Sequence, residues 1–252
     1  MKENSSMKKW IRKTAFGIVV LLVVVTGAFI WWGNNPLEAM PEAIMALESD
    51  HTVLVSPEEW IVFSPRESSP MMGIILYPGG HVDPRAYAPL AREIASDGNL
   101  VVIPQMLLNL AVFDIDVADE IIQANPNIET WVIGGHSLGG AMAAEYVSAN
   151  PSSVDGLFMW ASYSAENTDL SGFTNLKVLS IYGTEDGDVE GIRTSRERLP
   201  QNTLWVEIDG ANHAQFGWYG EQPGDGVATI SRKAQQEIIL ENTFAFLSAI
   251  ER

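Results

Sequence analysis

Cysteine is absent from the 252 residues, which removes disulfides, thiolate metal sites and a cysteine nucleophile and leaves the redox compartment undetermined. Histidine is scarce, with four in all, so any imidazole chemistry has to choose among His51, His81, His136 and His213. Positive charge is nearly missing from most of the chain. Fifteen Lys and Arg stand against 32 Asp and Glu, a net charge of −17. Five of the basic residues (Lys2, Lys8, Lys9, Arg12 and Lys13) come before an apolar run, so ten basic residues face thirty-one acids after it, a balance of −21. A surface that acidic repels nucleic acid and anionic headgroups, which argues against either as a partner of the main body. Neither an internal repeat nor a low-complexity segment is present.

The apolar run, residues 15–32, is eighteen residues without a charge, near the lower limit for crossing a bilayer as a helix. The basic cluster ahead of it reads as cytoplasmic and the acidic stretch behind it as exported. Thr26-Gly-Ala28 is a passable signal-peptidase site, but the run continues to Trp31 and Trp32, which suit an interfacial belt and favour an uncleaved anchor. The expected organisation is a basic cytoplasmic tail (1–14), a transmembrane anchor (15–33), a linker (34–50) with a short helix near 42–48, and a single domain (51–252). The protein is thus expected in the cell membrane, single-pass, with its domain extracytoplasmic.

Within that domain, short β-type runs at 52–55 and 60–63 suggest an antiparallel hairpin at a sheet edge, with His51 on the surface at its start. Strands are expected at 73–77, 100–103, 131–133, 156–161, 177–182 and 203–208. They alternate with helices after Asp83-Pro84, at 114–124, 138–147, 189–198 and 229–250. Strands alternating with helices imply an α/β fold, a mostly parallel sheet covered on both faces.

The most informative stretch is Gly135-His-Ser-Leu-Gly139, a G-x-S-x-G pattern between a buried strand and an Ala-rich helix. A serine on such a turn is held in a strained conformation with its hydroxyl exposed, and small neighbours are needed because backbone passes close by. Glycine-rich turns also occur at phosphate sites and plain corners, but the flanking strand and helix favour a nucleophile, Ser137. The first free N–H of the helix, at Leu138, would face a developing oxyanion. A second donor should come from the Gly79-Gly80 loop, as the N–H of Gly80 or His81. A serine needs a base, and the base a carboxylate to fix its tautomer. His213 is the one histidine that follows Ser137. His136 would point away from the serine and pack or hydrogen-bond beneath the turn. The acidic turn after the 177–182 strand offers Glu185, Asp186 and Asp188.

Tyr77-Pro-Gly-Gly80, Gly135-His-Ser-Leu-Gly-Gly140 and His213-Ala-Gln-Phe-Gly217 together resemble the α/β-hydrolases, specifically the compact bacterial esterase-like group with a G-H-S-L-G-G elbow (fold-5 type). The resemblance runs from about residue 52 to 250. It implies an esterase-like serine hydrolase acting on a small-molecule ester, with Ser137, Asp186 and His213 as the triad and no metal or organic cofactor. Asp186 is implied because the resembling hydrolases carry the acid three residues after the glycine that closes the strand, here Gly183. Dienelactone hydrolases of the same fold use cysteine, so their chemistry does not carry over. A thioesterase, acyltransferase or peptidase would use the same residues, and a catalytically silent binding or scaffold protein could keep the fold. Only residues 162–175 are free to form a cap. The cleft is therefore expected to be open and to favour short or medium acyl chains, with the aromatics of 216–219 either walling it or belonging to the core.

Overall fold

A computed structural model describes residues 3–250; Lys2 of the basic cluster and the last two residues of the expected domain lie outside them. The chain divides after Pro36 into two units. The first is dominated by helix α1 (Glu3–Gly33). Its stretch Met7–Gly33 is long and apolar enough to cross a membrane, with Phe16, Leu21, Val24 and Trp31 all exposed.

The second unit opens with the short helix α2 (Pro41–Met45), followed by β1 (Val53–Pro57), β2 (Trp60–Pro65), β3 (Gly73–Tyr77), α3 (Ala88–Ser96), β4 (Leu100–Pro104), α4 (Val117–Ala124), β5 (Trp131–His136), α5 (Leu138–Ala149), β6 (Gly156–Trp160), β7 (Lys177–Gly183), α6 (Val189–Thr194), β8 (Leu204–Ile208) and α7 (Arg232–Ile250). The eight strands form one sheet in the order β1-β2-β4-β3-β5-β6-β7-β8. The β1–β2 and β2–β4 pairs are antiparallel and all the others parallel.

Unbroken apolar runs form the central strands because both of their faces are covered. Ile74, Leu76, Val101, Ile103 and Val132 point to one core, shared with Leu90 and Ile94 of α3 and Ile239 and Phe246 of α7. Their sequence neighbours Ile75, Tyr77, Leu100, Val102 and Ile133 point to the other, shared with Ile121 of α4 and Ala143 and Val147 of α5. Burying an aliphatic side chain such as Ile75 or Ile133 contributes about 1.5–3 kcal/mol, so the period-two alternation of the strands fixes their register firmly.

The sheet order reverses at β3, which has β4 on one side and β5 on the other. The helix following β3 packs in one core and the helix following β5 in the opposite one, which opens a crevice beyond the carboxyl ends of these two strands, where open α/β sheets bind ligands. The loop Pro78–Gly80 and the turn at Ser137 both emerge there.

Residues 37–50, expected as a linker, instead pack on the second unit. Leu37 donates its N–H to the His81 carbonyl (2.8 Å) and accepts from Asp83 N–H (3.0 Å), forming a bridge with Val82. Ala43 is fully buried, and the Arg92 guanidinium binds the carbonyls of Ala46 and Glu48 and the Asp50 carboxylate. The reason lies in main-chain groups: most of these contacts use carbonyls and amides, which leave no trace in side-chain pattern.

Candidate active site

Strand β5 ends at His136, and Ser137 takes φ 53° and ψ −123° before α5 begins at Leu138. A non-glycine residue in that left-handed region is strained by about 1–3 kcal/mol and persists only where its surroundings hold it. Here Ser137 N–H donates to the Trp160 carbonyl (3.0 Å), and the Ser162 hydroxyl donates to the Ser137 carbonyl (2.6 Å). The turn also demands glycine at position 139, where an added Cβ would stand 2.2 Å from the Tyr77 carbonyl oxygen. Ala161, at the end of β6, is a second left-handed residue beside the same site, at φ 45°.

Parallel pairing of β7 and β8 brings together two segments that are far apart in the chain. Gly183 lies against Ala211, where a Cβ would meet the Ala211 carbonyl oxygen at 2.1 Å, and Glu185 N–H donates to that carbonyl (2.8 Å). Asp186 and His213 then face each other, with His213 Nδ1 2.9 Å from Asp186 Oδ2. The other carboxylate oxygen of Asp186 accepts from Asp188 N–H (2.9 Å). Asp188 is engaged differently: it accepts from the Tyr163 hydroxyl (2.7 Å) and caps α6 through Gly191 N–H. That bond to a carboxylate, with some burial, raises the Tyr163 phenol above its usual value. Glu185 contacts the Thr184 hydroxyl at 3.4 Å and does not line the site.

Ser137, Leu138, Asp186 and His213 share a cavity of about 400 Å³, whose apolar wall is Ala141, Met142, Ala161, Ala165 and Ile192 and whose polar margin includes Tyr163, Asp188 and Gln222. His213 Nε2 is buried and makes no hydrogen bond, so Ser137 and His213 line one cavity without being bonded to each other through this nitrogen. A larger and more open depression of about 610 Å³, lined by Pro151, Asp155, Phe173 and Asn175 among others, contains no histidine. Among the described residues no group of carboxylates and histidines is arranged to hold a metal ion.

One of the two expected loop donors has its N–H engaged within the protein. His81, at φ 59°, gives its N–H to the Asn109 carbonyl (2.7 Å); the left-handed turn commits that amide elsewhere, and neither His81 nor Gly80 is among the residues that line the cavity. Gly79 N–H is taken by the Tyr87 hydroxyl (2.9 Å). Gly80 lies between them and beside Leu138, whose Cδ2 would be 2.9 Å from a Cβ at position 80.

Of the aromatics of 216–219, Phe216 and Tyr219 resolve as core, fully buried, with Phe216 stacked on His136 at 5.8 Å and 8°, while Trp218 is half-buried. His136 hydrogen-bonds beneath the turn, its Nδ1 2.8 Å from the Tyr87 hydroxyl. Complete burial, with His213 adjacent, holds its pKa well below the ordinary histidine value.

Sequence reasoning missed the groups that hold the His213 loop. Asp225 accepts from the N–H groups of His213 (3.0 Å) and Ala214 (2.8 Å). Gln235 of α7 bonds both the N–H and the C=O of Asn212, and Arg232 donates to the carbonyls of Ala214, Gly217 and Tyr219. Burial holds the Arg232 guanidinium below its usual value. The available signal was weak, since polar residues on an amphipathic helix read as solvent-facing.

Residues 73–237 match a family model described as the alpha/beta hydrolase family. Among solved structures, a hyperthermophilic esterase from the archaeon Pyrobaculum calidifontis is 14% identical with a TM-score of 0.61, covering 91% of this chain and 94% of its own. A predicted CIB-like hydrolase from Thermoplasma acidophilum is 17% identical with a TM-score of 0.55, covering 76% and 98%. TT1662 from Thermus thermophilus is 13% identical with a TM-score of 0.56, covering 79% and 98%. At these identities the likeness is one of fold. Among curated protein sequences none matches this chain.

Proposed function

Since the chain belongs to the alpha/beta hydrolase family, we propose that it is a serine hydrolase that cleaves a carboxylic ester through an acyl-enzyme on Ser137. The observation that carries this reading is His213, tied at Nδ1 to Asp186 while its Nε2 is unpaired in a residue that shares a cavity with the strained Ser137. In the proposed cycle the Ser137 hydroxyl attacks the ester carbonyl, and His213 Nε2 takes its proton and delivers it to the leaving alkoxide. Asp186 keeps the imidazole in the tautomer that leaves Nε2 free to accept and stabilises the imidazolium. Negative charge on the carbonyl oxygen is received by the N–H groups of Leu138, at the start of α5, and of Gly80, in the loop after β3. Water, activated by the same histidine, then releases the acid.

The five apolar residues along one wall of the cavity support an uncharged acyl group of short or medium length. We also propose that residues 15–33 anchor the protein in a membrane with the N-terminus cytoplasmic. The supporting observations are the exposed apolar helix and the basic residues Lys8, Lys9, Arg12 and Lys13 at its start.

A fluorophosphonate probe tests the chemistry. Labelling of the wild type and not of Ser137→Ala, together with hydrolysis of p-nitrophenyl esters of graded chain length, is the expected result. A wild type that neither labels nor hydrolyses any ester overturns it. Thioesters offered in the same assay separate thioester from ester preference.

A further inference from the structure

Tyr87, His136 and Gly79 form a buried chain that the proposed cycle does not use. Gly79 N–H donates to the Tyr87 hydroxyl oxygen at 2.9 Å, which leaves the hydroxyl proton for His136 Nδ1 at 2.8 Å. An uncharged His136 therefore carries its own proton on Nε2. The His136 ring in turn lies against the His213 ring, 4.5 Å between centroids at 52°. Tyr87 and His136 are both fully buried. The chain joins the three parts of the site that come from separate loops: the amide next to Gly80, the residue next to Ser137 and the imidazole of His213. The fit is close, because a Cβ on Gly79 would stand 2.7 Å from His136 Nδ1 and 2.8 Å from the Tyr87 hydroxyl.

Resting on the serine-hydrolase reading, we propose that Tyr87 and His136 are a positioning pair that fixes the separation between the oxyanion-binding amide of Gly80 and the general base His213. In the step that forms the tetrahedral intermediate, negative charge grows at the Gly80 and Leu138 amides while positive charge grows on His213. Both must be held where the charges appear for the field to act without reorganisation. Tyr87 holds the loop through Gly79, and His136 passes that constraint to His213 by ring contact. Being buried and uncharged, His136 supports His213 without repelling the imidazolium. A side chain present only to fill space would be apolar. His136 instead meets polar groups on both sides, its Nδ1 the Tyr87 hydroxyl and its imidazole the main chain of His213, contacts that space-filling alone does not require.

The test uses the full chain and a p-nitrophenyl butyrate assay on Tyr87→Phe, His136→Asn, His136→Leu and Ser137→Ala, with unfolding midpoints recorded for each. Tyr87→Phe keeps the ring and removes the hydroxyl. It should lower kcat about tenfold with KM within twofold, short of the roughly hundred- to thousandfold loss of an oxyanion donor. His136→Asn retains an acceptor near the Nδ1 position and should keep more turnover than His136→Leu, which has similar bulk and no acceptor. Equal turnover of the Asn and Leu variants, or a Tyr87→Phe enzyme within threefold of wild type, overturns the positioning role if Ser137→Ala is inactive. Hydrolysis surviving in Ser137→Ala overturns the underlying reading instead. If Tyr87→Phe does not fold, the comparison of the two His136 variants decides.

Discussion

His213 and Asp186 meet at 2.9 Å through Nδ1 and Oδ2, with the carboxylate side chain 1% exposed and the imidazole 13%. So little solvent reaches the pair that the carboxylate has few competing partners, and its geometry sets which ring nitrogen carries the proton.

Replacing Asp186 by Asn should therefore lower kcat by up to about ten-thousandfold with little change in KM. Asp188→Asn loses a charged acceptor for Tyr163 and for the Gly191 N–H that caps α6, neither of them a contact with His213, and should stay within a few-fold. Steady-state constants for the two variants, each checked for folding, test the assignment. A crippled Asp188→Asn beside a near-normal Asp186→Asn would falsify it.

Stability should fall on acidification, in part because of His136. Burial holds this imidazole uncharged in the folded state, whereas the unfolded chain takes up a proton near the ordinary histidine value of about 6.5. The contribution is complete above that pH and is lost as pH drops below it, by about 1.4 kcal/mol per pH unit, until the much lower folded value is reached. Denaturant unfolding of wild type and His136→Asn between pH 7.5 and 4.5 should give a shallower acid decline for the variant. Parallel declines would remove His136 as the source.

Gly139→Ala should abolish activity and lower the unfolding midpoint, because the new methyl would sit 2.2 Å from the Tyr77 carbonyl oxygen and 2.4 Å from that of Pro78. Gly172→Ala, where nothing lies within 4 Å, serves as the matched control and should change stability by less than about 1 kcal/mol. Thermal melts and ester turnover for both report the contrast.

Two truncations test the role of residues 37–50. A chain starting at Asn34 keeps Leu37 on the His81–Asp83 turn and the Arg92 contacts, and should fold and remain in the aqueous phase of a detergent partition. A chain starting at His51 loses them and uncovers the core beside Ala43, so its unfolding midpoint should be several degrees lower, each kcal/mol lost shifting it by about 2–4 °C. Identical midpoints would return this segment to the status of a spacer.

Much of the sheet was legible because its strands are buried on both faces, which leaves runs such as Gly73–Tyr77 and Leu100–Pro104 continuous in apolar residues. The pairing of His213 with the acidic turn could be anticipated from chain order and resemblance, since a parallel sheet delivers the ends of β7 and β8 to the same edge. His81 was harder to read. Whether its amide faces a ligand depends on a left-handed φ and on the Asn109 carbonyl, and neither follows from the residue's identity. Phe216 and Tyr219 would read the same whether they lined a cleft or supported His136 from within the core. Asp225, Gln235 and Arg232 act on main-chain amides and carbonyls, so no complementary side chain in the sequence points to them.

Leu37 is fastened through both of its backbone polar groups to the turn at His81 and Asp83, one residue from Gly80. The next residues are fixed to the loop beside His213, Ala39 opposite Tyr219 and Met40 N–H on the Trp218 carbonyl. A pull on the polypeptide ahead of residue 37 is therefore received by these two loops before it reaches any strand of the sheet. Tension would shear the fastening at Leu37 first, slackening the Gly80 loop while the eight strands stay paired. In mechanical terms, the molecule would take its load at the edge that carries the candidate site and not at its scaffold.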